Sequence, residues 1–541
     1  TVYQPILSYT HGASVVPLLG ETIGEKLRKT AEKFPQHDAL ISVSQNYQMK
    51  YKQFWQQITL VAKSLICNEI EKGDRIGIIS PNCFQWVILQ YAIARIGAIL
   101  VCINPRLLGN ELEYLLNLSS VKMIIAINKI RDINYKQILN EIHIRCSHLK
   151  KILILEDDWN MLIKSGENIS DEQLLTAEDG VQFDDPVNIQ YTSGTTGPPK
   201  AVLLSHHNIL NSAYFAAKRL GYTENDRVCI PVPFFHCFGM VHGNLACTLT
   251  GSCIVIPNEI FDAEKVLETV EQEKCTSLYG VPSMFIAEME HPNFNKYDLS
   301  SLRTGIIGGS TFDIETVKQI QNKMNIKQIT IGYGMTEASP GISHTFTNDD
   351  LERKITVGKA LDHIEIKIID LSTGKIVPRG ETGELCTRGY HVMIGYYNNK
   401  EETEKVIDQT RWMHTGDLAI MDDQDYIRIV GRAKDMIIRG GENIYPKEIE
   451  QYLSKYPAIR DIQVIGVPSR MYGEEIMAWV QLKPDAQGIT EKELMDYCKN
   501  NISSHKIPKY WKFVKDFPLT NMGKVHKAEM RKISIRELNI K

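Results

Sequence analysis

Residues 191–208 read YTSGTTGPPKAVLLSHHN. Thr192, Ser193, Thr195 and Thr196 offer hydroxyls, and Gly194 and Gly197 let the backbone take positive φ and approach a ligand closely. Successive amides in such a turn form an anion-binding nest, and Lys200 adds a positive charge at its end. That chemistry suits a polyphosphate. The stretch is not a P-loop, because the GxxxxGK[ST] spacing is absent and the lysine follows two prolines. Four other stretches carry groups that would complete a nucleotide site. GYGMTEASP brings Tyr333, whose face can stack on a base, Thr336, whose hydroxyl can meet a phosphate, and Glu337, whose carboxylate can hold Mg²⁺. WMHTGDLAIMDD places Asp417 beside Gly416 in an expected turn, where a carboxylate could accept both ribose hydroxyls. DYIRIVGRAKD contributes Arg432 after a strand, and PLTNMGKVHKAEM contributes Lys524 after Gly523. Each stretch taken alone also reads as an ordinary polar turn or a solvated charge.

The elements that must position these groups follow from pattern. Short apolar runs (DRIGIISPN, ILVCINP, VKMIIAI, KKILILED, RVCIPVP, SCIVIPN) alternate with amphipathic helices. Strand and helix in alternation predict an α/β fold of mostly parallel sheets with helices on both faces. The apolar stretch 86–103 contains Gln90 and Arg95, so it divides into a buried helix, Gly97 and a strand, and does not cross a membrane. Near Gly431 the composition turns to charge and glycine (GRAKDMIIRGGENIYP), and a helix–strand–strand–helix–strand pattern follows. A boundary there gives a large domain over 1–431 and a small α+β domain over 432–541. The net charge of −4 over 541 residues argues against nucleic acid as the main partner. Eleven cysteines lie scattered with no CxxC pair, so no zinc or redox motif is visible, and free buried thiols are expected.

YTSGTTGPPK, GYGMTE, TGD, GRAKD and the GK of the tail, in this order, resemble the adenylate-forming superfamily, which holds acyl-CoA synthetases, beetle-type luciferases and peptide-synthetase adenylation domains. The resemblance spans roughly residues 23–531, and SYTHGASVVPLLGETIGEKL, KDMIIRGGENIYPKEIE and ISSHKIPKYWKFVKDFPLT look most like its acyl-CoA synthetase family member 2 branch. It implies a large domain with a small mobile cap, a mitochondrial location, and ATP, Mg²⁺, CoA and a medium-chain fatty acid as cofactors and substrates. It also implies two steps: attack of a carboxylate on the α-phosphate, then attack of the CoA thiol on the acyl-AMP. On this resemblance residues 192–200 hold the β- and γ-phosphates, Thr336 meets the α-phosphate, and Glu337 holds Mg²⁺. Gly308, Gly309 and Ser310 wall the adenine with Tyr333 and Gly334, and Asp417 and Arg432 take the ribose. Lys524 bridges carboxylate and α-phosphate, Lys434 is the hinge of the cap, and Gly440, Gly441 and Glu442 pass the CoA arm. His236 gates an acyl pocket lined by Tyr279, Gly280 and Val281.

The chain departs from the family pattern twice. Ala201 stands where glycine is usual after the loop lysine, which matters only if that backbone is left-handed or crowded. Asp425 stands where a turn glycine is usual, and aspartate tolerates left-handed geometry. Two other functions remain open on the same scaffold: a luciferase that adenylates a luciferin and oxidises it with O₂, and a nucleotide-binding protein without catalysis.

Overall fold

A computed structural model describes residues 6–192, 199–309, 314–439, 442–469, 471–484, 486, 488–499, 502, 504–520 and 524–540. Two sheets carry the α/β character. One has seven strands in the order Gly395–Tyr396, Lys200–Ser205, Pro186–Thr192, Ile99–Ile103, Arg75–Ile79, Met123–Ala126 and Lys151–Ile154. From Pro186–Thr192 onward its neighbours are parallel, and only the hairpin to Lys200–Ser205 and the short edge strand run antiparallel. The second has nine strands, with a parallel centre from Gln328–Gly334 through Thr304–Gly308, Ser277–Gly280, Arg227–Cys229 and Cys253–Ile256 to Asp38–Ser42. Central parallel strands are covered on both faces, which is why they read as unbroken Ile, Val and Leu.

The expectation of mostly parallel sheets holds for these two and fails for a third. Tyr9–His11, Glu365–Ile369, Gly383–Arg388, Met413–Met421 and Ile427–Arg432 form a five-stranded sheet that is antiparallel throughout. Only Met413–Met421 and Ile427–Arg432 are joined by a short turn, residues 422–426; the other pairs join segments that lie further apart in the chain, residues 12–364 separating the first of them. Beyond Arg432 the chain builds a separate sheet of Glu442–Ile444, Ile437–Arg439, Gly473–Leu482, Ile459–Ser469 and Tyr510–Phe513, packed by helices Pro446–Leu453 and Glu491–Lys499.

The apolar stretch divides as its pattern requires. Helix Phe84–Arg95 is buried from Trp86 to Arg95, Gly97 takes φ 71°, and strand Ile99–Ile103 follows. Its two polar residues find partners. Gln90 donates to the Met240 carbonyl at 3.2 Å, and the Arg95 guanidinium lies 2.5 Å from Glu178 and over the Trp55 ring. Among the described residues no helix is long and apolar enough to cross a membrane. All eleven cysteines are free, ten of them buried and Cys67 partly so.

Helix His206–Leu220 carries the segment after the hydroxyl-rich loop. It starts because Ser205 accepts from the Asn208 amide in a capping box, and it stops at Gly221 in the left-handed region. Tyr333 and Gly334, Gly308 and Gly280 all stand at the carboxyl ends of parallel strands. Ligands of open α/β sheets bind at that edge.

Candidate active site

Tyr333 lies at the end of strand Gln328–Gly334, and its hydroxyl donates to Asp417 Oδ2 at 2.7 Å. The other Asp417 oxygen lies 3.0 Å from Arg432 Nε. Burial and the Asp417 carboxylate raise the Tyr333 phenol above its ordinary value, so it stays a donor. Asp417 is not in a turn, as its neighbours suggested. It sits inside strand Met413–Met421, directly across from Arg432 on Ile427–Arg432. Gly416, at φ 70°, and a register shift between Leu418 and Ala419 supply the irregularity that the sequence showed as a turn. A carboxylate has about four lone-pair sites, so one held by Tyr333 and Arg432 can still accept ribose hydroxyls.

Thr336 and Glu337 open a short 3-10 turn and are both buried. The Tyr396 hydroxyl donates to Glu337 Oε1 at 2.9 Å. The Lys200 ammonium lies 4.8 Å above the face of the same tyrosine ring and is paired with the Glu402 carboxylate. One phenol therefore joins the loop lysine to the carboxylate assigned to Mg²⁺. Glu337 fits that cation: it is an oxygen ligand oriented by a hydroxyl, as hard divalent ions require. Thr192 is the last residue of strand Pro186–Thr192, opposite Lys200. Ser193, Gly194, Thr195, Thr196, Gly197, Ser310, Gly440 and Gly441, and the side chain of Glu442, lie outside the described residues. The backbone of Glu442 pairs with Arg439.

Gly334 has no room for a side chain, and Gly308 is tight. A Cβ on Gly308 would meet the Gly332 carbonyl at 3.0 Å, and one on Gly334 would meet the Pro340 carbonyl at 1.5 Å. Gly309 takes φ 83° with Val281 at its edge.

His236 is half-buried, and its Nδ1 accepts from the Phe238 amide at 3.2 Å. That bond leaves the proton on Nε2 in the neutral ring. Burial, and then the Lys524 cation, push its pKa down to about 4. Tyr279 is fully buried, donates to the His242 carbonyl at 2.7 Å and stacks on Phe238 at 5.5 Å between centroids. It backs the half-buried Phe238. Phe238 was absent from the expected lining. A Cβ on Gly280 would meet the Phe285 ring at 2.8 Å.

Lys524 reaches this centre from the far end of the chain. The residue is exposed. Burial lowers its pKa, the Arg432 cation lowers it further, and the Asp417 and Glu337 carboxylates act the other way. Lys434 lies in the 3-10 turn Ala433–Asp435, between the antiparallel sheet and the C-terminal sheet. Burial and Arg432 bring its pKa down to about 8.

Residues 27–397 match the AMP-binding enzyme family, and residues 448–524 match the AMP-binding enzyme C-terminal domain. The chain belongs to this family. The enzyme is 44% identical over 547 residues to the putative acyl-CoA synthetase YngI of Bacillus subtilis, with 97% of this chain and 99% of that protein covered. It is 40% identical over 555 residues to the mitochondrial medium-chain acyl-CoA ligase ACSF2 of Danio rerio, with 98% and 91% covered. Among solved structures it is similar to the o-succinylbenzoate CoA synthetase MenE of Bacillus subtilis in complex with ATP and magnesium ion, at 26% identity and a TM-score of 0.79, with 93% and 98% covered.

Sequence reasoning missed Tyr396 and Glu402 in this AMP-binding enzyme. They lie in GYYNNKEETEKV, about as polar as any loop, and their partners Lys200 and Glu337 are far away in the chain. The spacing carries no signal for such contacts; only the edge strand Gly395–Tyr396 beside Lys200–Ser205 brings them together.

Proposed function

We propose that this enzyme is an AMP-forming acyl-CoA ligase that activates a medium-chain fatty acid. The carrying observation is that Lys524, Arg432, Asp417, Glu337 and His236 converge although the chain separates them widely. A cation brought beside a carboxylate and a buried hydroxyl stabilises charge as it spreads between an attacking acid and an α-phosphate. On this proposal Asp417 and Arg432 orient the ribose, Tyr333 walls the base, Thr336 donates to the α-phosphate, and Lys200 follows the outer phosphates. Mg²⁺ on Glu337 supplies charge neutralisation. Neutral His236 offers its Nε2 proton at the entrance to a pocket faced by Phe238, with Gly280 and Val281 behind. The Phe238–Tyr279 stack is apolar, which suits an alkyl chain.

The second step needs the site around Lys524 to give way to CoA. We place the domain boundary between Gly431 and Arg432 and the hinge at Lys434, which puts residues 440–442 on the moving side. The medium-chain acid and a mitochondrial location are supported by the Danio rerio relative, a mitochondrial medium-chain acyl-CoA ligase; the Bacillus relative is bacterial.

Pyrophosphate release with ATP, Mg²⁺ and a ladder of fatty acids, with and without CoA, tests the proposal. It expects a chain-length optimum, AMP and thioester on adding CoA, and about a 10²- to 10³-fold lower rate in Lys524→Ala. Release with no fatty acid at any length would redirect the search to another carboxylate, a luciferin among them.

A further inference from the structure

Outside the reaction centre, Glu384 and Cys386 on strand Gly383–Arg388 meet His414 on strand Met413–Met421. Cys386 and His414 are direct cross-strand partners, and a register shift between Glu384 and Cys386 turns the carboxylate toward them. His414 Nδ1 lies 2.9 Å from Glu384 Oε2 and 3.5 Å from Cys386 Sγ, and the three ligand atoms lie within 4.8 Å of one another. A tetrahedral zinc ion with its usual bond lengths would separate a thiolate sulfur from an imidazole nitrogen by about 3.6 Å and that nitrogen from a carboxylate oxygen by about 3.3 Å. The sulfur–nitrogen pair already stands at that spacing, the nitrogen–oxygen pair opens by a few tenths of an ångström, and the sulfur–oxygen pair lies within 4.8 Å.

We propose that Glu384, Cys386 and His414 bind one soft divalent cation of the zinc class, with a fourth position left to water. A thiolate and a carboxylate together cancel its charge, and this donor set selects a soft ion over Mg²⁺. The support around the ligands is in place. Glu384 Oε1 accepts the Gly416 amide at 3.1 Å and so fixes the carboxylate. His414, about one third exposed (32%), gives the ion its entry, whereas Cys386 is fully buried. The site lies three residues from Asp417 along one strand, so a bound ion stiffens the strand that carries the ribose carboxylate.

Cobalt titration of the chelator-treated full-length protein tests this. The expected result is one equivalent of Co²⁺ giving intense visible bands of a tetrahedral site with a thiolate charge-transfer band, displaced by one equivalent of Zn²⁺. Cys386→Ser should lose the charge-transfer band, and both Cys386→Ser and His414→Ala should bind at least tenfold more weakly, with metal-free melting temperatures reported beside them. Glu384→Gln, which keeps the Gly416 bond within reach, should bind more weakly and retain the thiolate band. Absence of the thiolate band in the wild-type protein, or an unchanged band in Cys386→Ser, overturns the proposal. The wild-type result decides it even if a variant fails to fold.

Discussion

The phenol of Tyr396 joins two charged groups that would face a triphosphate from opposite sides. Its ring lies under Lys200 while its hydroxyl donates to Glu337. Removing only the hydroxyl, in Tyr396→Phe, should lower kcat/KM for ATP about tenfold or more, the worth of one hydrogen bond to a charged group at about 1.5 kcal/mol or more. Steady-state kinetics at varied ATP would show it, and an unchanged kcat/KM would remove Tyr396 from the site. Glu402 acts in the other sense, because it occupies the Lys200 ammonium and is itself shared with Lys405. Glu402→Gln frees the lysine for phosphate, so KM for ATP should fall two- to fivefold, the range of an exposed ion pair at about 1 kcal/mol or less. A higher KM would mean that Glu402 positions Lys200 and does not compete for it. Residue type singled out Tyr333, Thr336, Glu337 and Asp417 in the sequence, and the family resemblance added Arg432 and Lys524; the structure joins Tyr333, Asp417 and Arg432 directly. What no residue type discloses is pairing, and Tyr396, Glu402 and the Glu384–Cys386–His414 group are all contacts between distant segments.

At the scale of elements, two positions within strands separate backbone demand from side-chain chemistry. Gly334 ends strand Gln328–Gly334 where an added Cβ would sit 1.5 Å from the Pro340 carbonyl. Gly334→Ala should cost about 3 kcal/mol or more in urea denaturation, at the upper end of overpacking. Ala201, in the place of a customary glycine, lies in the extended strand Lys200–Ser205, buried and paired with Tyr191. Its methyl meets no left-handed backbone, so Ala201→Gly should destabilise by about 1–2 kcal/mol, through backbone entropy and the lost buried methyl together. A stabilised Ala201→Gly would show that the methyl is crowded after all. Asp425 does adopt the left-handed region, at φ 68°, and its carboxylate binds Arg379 at 2.5 Å, which gives the side chain a use that glycine lacks. Strand and helix placement followed from apolar periodicity almost throughout. The antiparallel third sheet and the strand position of Asp417 did not, because most of its pairs join segments that no short turn connects and a bulge such as that beside Gly416 leaves no mark on apolar periodicity.

Across the whole molecule, burial has made several histidines permanently neutral. Burial pushes His206 down to about 4 and both His242 and His391 down to about 3. An unfolded histidine takes its proton near pH 6.5, so between there and about pH 4 the unfolded chain binds more protons than the folded one, and stability falls as pH falls. One pH unit below 6.5 each such residue costs about 1.4 kcal/mol. Urea midpoints compared at pH 7.5 and 5.5 should therefore drop by the equivalent of about 3–4 kcal/mol for the three together. An unchanged midpoint would mean that these rings find protons inside the fold. The overall architecture was readable in the sequence because the apolar runs that cover both faces of a parallel sheet are local signals, whereas a proton-free histidine is a property of everything packed around it. One last consequence follows from the hairpin that carries the hydroxyl-rich loop. Thr192 faces Lys200, and six register pairs from Pro186↔Ser205 to Thr192↔Lys200 zip the two strands together. Cutting the chain inside the loop would leave each fragment ending in a strand complementary to the other, so the enzyme would be a natural candidate for split-protein reconstitution, with ligase turnover reporting that two halves have met.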